Sequence, residues 1–348
     1  MLPLELWVHI CFFACNGDDG TTGRSLSFVS HTIRTASEDF RLRTIAVRGE
    51  LQIARFAQYL ESVDVKRRKV ENLYITTWAP GSRRSSDYGG YASAQSEQAL
   101  IDLYRPGICD RTPGPEPEDI LEDREELLCH AISRILRAVA ETVLIAHIKL
   151  DAYRDFIFFP VKFERLEELT ILGPFECSYM AYIPHLPANP TLRRLKLNYV
   201  ALYHDTTLLD SIAACAPNLT HLYFQLSNPY QRGVIEQLQK ILCPQKTTDQ
   251  RPGQFLMSLK MLQLHPGQKS PPGMCGTGYA TIALAKRDLY NYCISEPRIV
   301  LRNHPPFLYR STHSAAEERE AMDEWMDRVE GGLGCWDDSD RMKSPFTP

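Results

Sequence analysis

The sequence predicts an α/β fold in which a short helical module precedes an irregular solenoid with parallel strands. Three observations support this prediction. Residues 1–45 carry apolar side chains at helical spacing, residues 46–312 repeat a strand pattern separated by helical stretches, and residues 313–348 contain one more amphipathic helix. The chain has 348 residues, which is longer than a chain that typically forms one globular core. Hydrophobic residues make up 44% of it, which is enough to build an elongated core.

The N-terminal residues predict an amphipathic helix. Pro3 suits the first turn of a helix, where its missing N–H would have no partner, and Glu5 suits the positive end of the helix dipole. Leu6, Ile10 and Phe13 follow at helical spacing and form one apolar stripe. Two or three short helices do not close a core of their own, so we expect this stripe to pack on the rest of the chain or on a partner.

A second helix is predicted after the turn-rich loop at residues 16–20. Thr21 or Thr22 is expected to cap this helix. Its apolar side chains recur every three to four residues, at Leu26, Val29 and Ile33. Residues 1–45 are therefore expected to form a helical module.

The two helices resemble the two halves of an F-box, of the divergent kind found in large fungal families. The first half is Leu2-Pro3-Leu4-Glu5-Leu6 with Ile10, and the second is Leu26-Ser27-Phe28-Val29-Ser30-His31. The family's tryptophan after the Val-Ser pair is replaced here, and the loop between the helices is longer. The resemblance implies docking of a Skp-type adaptor, which holds a cullin–RING ubiquitin ligase, through Leu2, Pro3, Leu6, Ile10, Val29 and Ser30. The alternative is a plain helix pair that caps the solenoid.

The body of the chain repeats the pattern Φ-x-x-Φ-x-Φ, where Φ is apolar. Each copy ends in an alternating segment that suits a strand. Three consecutive spacings are 21, 26 and 27 residues, which is typical of leucine-rich repeats. Helical patterns between copies favour right-handed crossovers and parallel strands. The seven copies are Leu42/Ile45/Val47, Val70/Leu73/Ile75, Ile145/Ile148/Leu150, Leu166/Leu169/Ile171, Leu192/Leu195/Leu197, Leu219/Leu222/Phe224 and Leu259/Leu262/Leu264.

The connections between the copies complete the prediction of a leucine-rich-repeat-like solenoid. Turns at Asn189–Leu192 and Ala216–Leu219 each stop a helix before a strand and resemble the divergent leucine-rich repeats that follow F-boxes. Residues 77–119 are rich in Gly, Ser, Tyr and Pro and are expected to form a flexible insertion, and residues 265–278 a second loop. Helical patterns are found at 53–60, 121–139, 209–213 and 234–242.

The C-terminal region predicts a capping helix and a disordered tail. The helix covers Ala315 to Val329, with Met322, Met326 and Val329 on one face and charged residues on the other. We expect it to seal the last strand, since the end of a solenoid needs a cap with a polar outer face. Gly331-Gly332 is expected to stop it.

The composition argues against several classes of function. A net charge of −4 gives no support to nucleic-acid binding, which requires a basic face. Residues 6–15 are apolar but short, without the basic flank of a signal peptide, and no run approaches the roughly 20 apolar residues that cross a bilayer. We therefore expect no nucleic-acid or membrane partner and a cytoplasmic or nuclear location.

The sequence shows no catalytic or metal-binding motif. The ten cysteines include no CxxC pair, and the ten histidines form no HxH or HExxH pairing. Residues 274–278 lack the lysine and the glycine spacing of a phosphate-binding loop, and no Gly-x-Ser-x-Gly elbow is present. We expect buried reduced thiols, no cofactor and no enzymatic activity.

The run Lys66-Arg67-Arg68-Lys69 has two interpretations. It lies between a predicted helix and a predicted strand, where a solvated charged turn is common. It also resembles a nuclear-localisation patch. The charged turn is the favoured interpretation.

The strands predict a polar face opposite their apolar one. Because side chains alternate along a strand, inward-facing Leu195 and Leu197 imply that their neighbours are exposed on the concave side. The same alternation predicts that His147 and Lys149 are exposed on an earlier strand. We expect this face to bind a protein target, acidic or phosphorylated given the basic side chains. The alternatives are a face that binds nothing and recognition by the 77–119 insertion. The predicted target-binding residues are Arg194, Lys196, Asn198, His221, Tyr223, Gln225 and Gln263.

The sequence therefore predicts a non-catalytic substrate receptor of an SCF-type cullin–RING ubiquitin ligase. The N-terminal module would dock the Skp-type adaptor, and the repeats would bind the protein to be ubiquitinated and degraded. The alternative is a leucine-rich scaffold with no role in ubiquitination.

Overall fold

The computed structural model describes eight stretches of the chain: residues 3–78, 117–150, 161–176, 188–201, 208–226, 258–265, 277–302 and 315–337. Several sequence predictions fall outside these stretches. They concern Leu2, the insertion at 79–116, the helix at 234–242, the loop at 266–276 and the tail after 337.

The fold is α/β, and all the described strand pairings are parallel, as the sequence predicts. The helices are α1 (Leu4–Ala14), α2 (Thr21–Leu26), α3 (His31–Ser37), α4 (Glu50–Ser62), α5 (Pro117–Val139), α6 (Leu208–Cys215), α7 (Thr277–Ser295) and α8 (Ala315–Val329). The strands are β1 (Thr44–Arg48), β2 (Asn72–Thr76), β3 (Ile145–Lys149), β4 (Glu168–Glu176), β5 (Arg194–Ala201), β6 (His221–Leu226), β7 (Met261–His265) and β8 (Ile299–Leu301).

The chain divides into two compact units. Unit 1 comprises Met1–Leu166 with Ser311–Cys335, and unit 2 comprises Glu167–Arg310 with Trp336–Pro348. Strands β1 to β3 are adjacent in chain order in unit 1, and β4 to β8 are adjacent in chain order in unit 2. The boundary therefore falls inside the predicted 46–312 solenoid, and the N-terminal helices share a unit with the first three strands.

The N-terminal module is helical and has three helices, within the two or three that the sequence predicts. The second predicted helix is interrupted before Ser30, whose backbone is extended and whose hydroxyl accepts the N–H of Ile33 at 3.2 Å to cap α3. The predicted threonine cap of α2 is wrong. Gly20 is the N-cap, with φ of 94°, and the Asp18 carboxylate accepts the N–H of Thr22 at 2.5 Å. An aspartate in the preceding loop thus replaces the expected hydroxyl.

The apolar positions of the strands in unit 1 pair in register. Leu73 of β2 lies beside Ile45 of β1 and beside Ala146 of β3. This register corrects the third predicted copy of the pattern, which is Val143/Ala146/Ile148 and not Ile145/Ile148/Leu150. The true copy was missed because its middle position is alanine, whereas leucine and isoleucine two residues later fit the pattern better. Helix α4 buries Ile53, Ala54, Ala57 and Leu60 and contacts β1 and α5.

Unit 2 continues the same arrangement. Leu195, Leu222 and Leu262 are in register on adjacent parallel strands, as predicted, and all three are buried. The turns before β5 and β6 stack on one another, since the side-chain amide of Asn218 donates to the carbonyl oxygen of Pro190 at 2.8 Å. The repeat phase thus sets both the strand register and the position of the turns.

Strand β8 is an eighth copy that the sequence pattern missed. Ile299 and Leu301 pair with Leu262 and Leu264, so they occupy the second and third apolar positions. The first position holds Glu296, whose carboxylate pairs with the Arg298 guanidinium at 2.7 Å. The pattern does not predict this strand because its first position is charged, whereas that position is apolar in the other copies.

We predict that Leu222→Ala destabilises the protein by about 2–5 kcal/mol, because truncation of a buried leucine leaves a cavity between stacked strands. The matched control is Leu284→Ala on α7, where the side chain is 48% exposed and the expected change is within about 0.5 kcal/mol. Urea denaturation followed by circular dichroism measures both. Equal changes in the two variants would contradict the placement of Leu222 in the stacked core.

Candidate functional site

An apolar surface on the N-terminal module is the first candidate site. Of the eleven large apolar side chains that are exposed in the described part of the chain, six belong to this module. Leu6, Ile10 and Val29, three of the predicted adaptor-binding residues, are 48%, 46% and 62% exposed. The other three exposed apolar residues of the module are Leu4, Phe13 and Phe28.

Helix α1 faces the module with its opposite side. Cys11 and Cys15 are buried, and the ring of Phe12 contacts that of Phe40 edge-on at 5.5 Å. The guanidinium of Arg43 lies over the same Phe12 ring at 4.5 Å from its centroid. These contacts lie on one side of α1. The stripe predicted at Leu6, Ile10 and Phe13 lies on the other side, where the three side chains are 48%, 46% and 72% exposed.

The two remaining described adaptor-site predictions lie at helix starts. Pro3 is the N-cap of α1, and its carbonyl oxygen accepts the N–H of Trp7 at 3.3 Å. Ser30 is the N-cap of α3 and is exposed, directly after Val29. Helices α1, α2 and α3 contact one another, so the five described residues belong to one small cluster of helices.

The basic run at residues 66–69 joins this module to the first strands. The Arg67 guanidinium pairs with Glu38 at 2.6 Å, and the Lys69 ammonium pairs with Asp39 at 2.9 Å. Arg68 donates to the carbonyl oxygen of Val63 at 2.9 Å. These contacts support the charged-turn interpretation of the run, because its side chains serve local structure.

The polar face of the strands in unit 2 is the second predicted site, and its predicted exposure is wrong for three residues. Lys196, Tyr223 and Gln263 are in register on β5, β6 and β7, but all three are buried. The Lys196 ammonium lies 5.0 Å from the centroid of the Tyr223 ring, and Arg302 donates to the side-chain carbonyl of Gln263 at 3.2 Å. The side chains of Asn198 and Gln225 lie outside the described residues.

The C-terminal end of unit 2 covers the first row of this polar face. The indole N–H of Trp336 donates to the buried Glu168 carboxylate at 3.0 Å, and its ring meets the His221 ring edge-on at 5.7 Å. Arg194 pairs with the other oxygen of Glu168 at 3.5 Å. Among the described side chains of this predicted site, Arg194 and His221 are partly exposed. Sequence reasoning missed Trp336 and Glu168, which organise this row.

The polar face of β2 and β3 in unit 1 is covered in a different way, by helix α8. Tyr74 and Thr76 on β2 and Lys149 on β3 surround one carboxylate, that of Glu318. The Tyr74 hydroxyl donates at 2.8 Å, the Thr76 hydroxyl at 3.3 Å and the Lys149 ammonium at 3.0 Å. Three donors from two neighbouring strands thus converge on one buried anion.

This contact corrects the predicted position and orientation of α8. The helix has the predicted bounds and ends before Gly331, where φ is 91°. It lies on β2 and β3, whereas the sequence placed it over the last strand. Its buried side chains are Glu318, Ala321 and Trp325, and not the predicted Met322, Met326 and Val329.

The electrostatics of the Glu318 cluster keep Tyr74 in its protonated, hydrogen-bond-donating form. Burial and the neighbouring Glu318 carboxylate both raise the pKa of Tyr74 above its usual range, so the phenol remains a donor. The Tyr74 ring stacks on His147 with 4.8 Å between ring centroids, and it lies 5.4 Å from Trp325. His147 and Lys149, predicted to be exposed, are therefore buried beneath α8.

Four of the six thiols in the described residues are buried, those of Cys11, Cys15, Cys215 and Cys293, whereas Cys129 and Cys335 are partly exposed. Burial raises the pKa of Cys15 and Cys215 to about 11 and that of Cys293 to about 12, so these residues remain neutral thiols at pH 7. In the described stretches, no cluster of three or more potential metal ligands occurs. Among the helices described, none combines the length and the apolar character that a bilayer crossing requires.

We predict that Glu318→Gln destabilises the protein by about 3–5 kcal/mol, because the buried Lys149 ammonium loses its counter-charge. Glu320→Gln, which removes an exposed carboxylate from the same helix, is the matched control and is expected to change little. The double variant Glu318→Met with Lys149→Met should recover much of the loss, since it leaves no buried charge. Thermal and urea unfolding measure all three, and a double variant as unstable as Glu318→Gln would contradict the pairing.

Comparison with known proteins adds no assignment to these surfaces. Neither a protein-family model nor a curated protein matches the sequence. The function that the molecule supports therefore follows from the apolar N-terminal surface and from the covered polar face of its strands.

Proposed function

We propose that this protein is a non-catalytic substrate receptor of an SCF-type cullin–RING ubiquitin ligase. The observation that carries the proposal is the exposed apolar surface of α1 to α3, to which Leu6, Ile10 and Val29 contribute. The same residues occupy the F-box positions expected to dock a Skp-type adaptor. In this proposal the adaptor covers the apolar surface and links the chain to the ligase, in the cytoplasm or the nucleus.

The exposed apolar side chains of this surface contribute less to stability than they would if a partner covered them. An amphipathic helix normally buries its apolar face and exposes its polar one. Helix α1 is apolar on both sides. It buries Cys11 and leaves Leu6, Ile10 and Phe13 46–72% exposed. Clusters of exposed apolar side chains on a soluble protein commonly mark an interaction site. A helical adaptor surface of complementary shape is the partner that the F-box resemblance supplies.

The attachment of the module also supports a role in positioning. Arg48 pairs with Asp19 at 2.7 Å, and the N–H of Ala46 on β1 donates to the carbonyl oxygen of Asp19 at 3.0 Å. Arg43 pairs with Glu71 at 2.6 Å, next to β2. The module is thus joined to the strands by several contacts close in space, so an adaptor bound to α1 would hold the first repeats at a defined angle.

The repeats are the proposed target-binding part. Parallel strands that follow one another in chain order, with apolar residues in register, support the proposal of an irregular leucine-rich-repeat solenoid within each unit. Arg194 and His221 remain candidates for target contact because they are partly exposed. Lys196, Tyr223 and Gln263 could contact a target only after the groups that cover them move.

A leucine-rich scaffold without a ubiquitin role is the second candidate. The observation that favours it is the set of ion pairs that join the module to β1 and to the segment before β2, since a plain capping module would be joined to the repeats in the same way. The two functions differ in whether the apolar surface binds an adaptor.

We predict that Leu6→Asp abolishes binding of a purified Skp-type adaptor while the fold is retained. The aspartate would be solvated in the free protein, where position 6 is half exposed, but desolvated and unpaired in the complex, at a cost of several kcal/mol. The double variant with Pro3→Ala, which also alters the start of α1, is likewise expected not to bind. Pull-down and titration calorimetry with the full chain measure the effect.

The matched control is Ile294→Asp on α7, which places the same charge at a 65% exposed isoleucine in unit 2. It should leave adaptor binding unchanged. Loss of binding in both variants would point to a general effect of charge. Adaptor binding that survives Leu6→Asp, or that is absent in the wild-type protein, would refute the adaptor proposal and favour the scaffold.

A further inference from the structure

Helix α8 is attached to its strands in the manner of a bound peptide. Its buried side chains are one carboxylate, one methyl group and one indole, from Glu318, Ala321 and Trp325. By contrast, α4 buries four aliphatic side chains, at Ile53, Ala54, Ala57 and Leu60. A helix held by an aromatic anchor and a desolvated charge has the composition of an interface hot spot, whereas α4 has that of a core helix.

The two anchors of α8, Glu318 and Trp325, make different kinds of contact with the strands. Glu318 receives the hydroxyl of Tyr74, the hydroxyl of Thr76 and the ammonium of Lys149. Trp325, seven residues further on, lies 5.4 Å from the ring of Tyr74. Seven residues of helix span about 10.5 Å and return to nearly the same face, so the two anchors form one recognition pattern.

A buried ion pair specifies this contact more than it stabilises it. Desolvation of Lys149 and Glu318, each 6% exposed in its side chain, offsets most of their mutual attraction. An apolar contact of the same size would hold α8 more tightly but would select no particular ligand. The buried ion pair therefore favours recognition of a helix by its carboxylate. A second helix with a carboxylate at the same position can compete for the same donors.

The sequence of α8 also suits a helix that leaves the strands. Its outer face is charged and exposed at Arg319, Glu320 and Asp323. Glu317 lies in the first turn and Arg328 in the last, where each charge complements the helix dipole. A released α8 would expose the indole of Trp325 and the half-buried side chains of Met322, Met326 and Val329.

We propose that the face of β2 and β3 around Tyr74, Thr76 and Lys149 is a docking surface for an acidic amphipathic helix of a partner protein, with α8 as its resident competitor. The partner helix carries a carboxylate and, seven residues further on, a large aromatic side chain. In the ubiquitin-ligase proposal this partner is the target, and that identification alone rests on the proposed function. Target binding then requires release of α8, whose tether gives it an effective concentration on the order of millimolar.

The test uses the full chain and a fluorescein-labelled synthetic peptide of residues 313–331. Fluorescence anisotropy should show at least tenfold tighter binding to the variant Glu318→Gln with Trp325→Ala than to wild type, because the resident helix of the variant is weakened. A peptide with Glu318→Gln should bind the variant at least tenfold more weakly. A peptide with Glu320→Gln, altered only on the outer face, should bind like the native one. Equal binding of the native peptide to both proteins would overturn the proposal.

Hydrogen exchange on the wild-type protein provides a measurement that does not depend on a variant that folds. Excess unlabelled peptide should accelerate amide exchange in residues 315–329 and leave exchange in β2 unchanged. Exchange in α8 that peptide does not alter at any concentration would also overturn the proposal.

The two proposals fail separately. If Leu6→Asp has no effect on adaptor binding but the peptide displaces α8, the docking surface remains and the ligase role is lost. If adaptor binding behaves as predicted and the peptide does not displace α8, α8 is a fixed part of the fold and the docking proposal is wrong.

Discussion

The register of apolar positions on adjacent parallel strands is the constraint on which the rest of the structure depends. Leu195, Leu222 and Leu262 lie side by side, and the strands on either side of them repeat the arrangement. Because side chains alternate along a strand, this register fixes a second set of rows on the opposite face. In that set, Thr170, Lys196, Tyr223 and Gln263 are aligned whether or not water reaches them. The apolar core thus determines where the polar groups of the molecule must find partners.

C-terminal residues take part in satisfying some of these polar groups. Buried donors require acceptors, and two carboxylates supply several of them: Glu318 in unit 1 and Glu168 in unit 2. In each case an indole completes the arrangement, Trp325 against Tyr74 and Trp336 against His221. In both units the polar face thus holds an indole beside a buried carboxylate. What distinguishes α8 is that it brings its own carboxylate, whereas Trp336 uses one already on a strand.

The local pattern was enough to predict most of the described elements and their parallel pairing, because the periodicity of a strand or a helix lies in neighbouring residues. It did not predict α7. It predicted the bounds of α8 and the row of Leu195, Leu222 and Leu262. It failed where a single residue broke the pattern, as with Glu296 before β8 and Ala146 on β3. It also failed for the polar face, because alternation tells which residues share a face but not what covers it. Contacts such as that between Tyr74 and Glu318 join residues 244 apart, and no periodicity reports them.

The N-terminal module presents the opposite case, a surface that the fold leaves uncovered. Burial of apolar area is worth roughly 25 cal/mol per Å², so half-exposed side chains such as Leu6 and Ile10 forgo part of the stabilisation that a partner could provide. On the inner side of α1, Phe12 packs against Phe40 and Arg43. No described element of the module covers the stripe of Leu6, Ile10 and Phe13 on the outer side. The molecule therefore has two candidate binding surfaces that differ in exposure: the apolar surface of α1 to α3, and the polar face of β2 and β3 beneath α8. One is apolar and open, and favours a partner that stays bound, whereas the other is polar and occupied, and favours a partner that must compete.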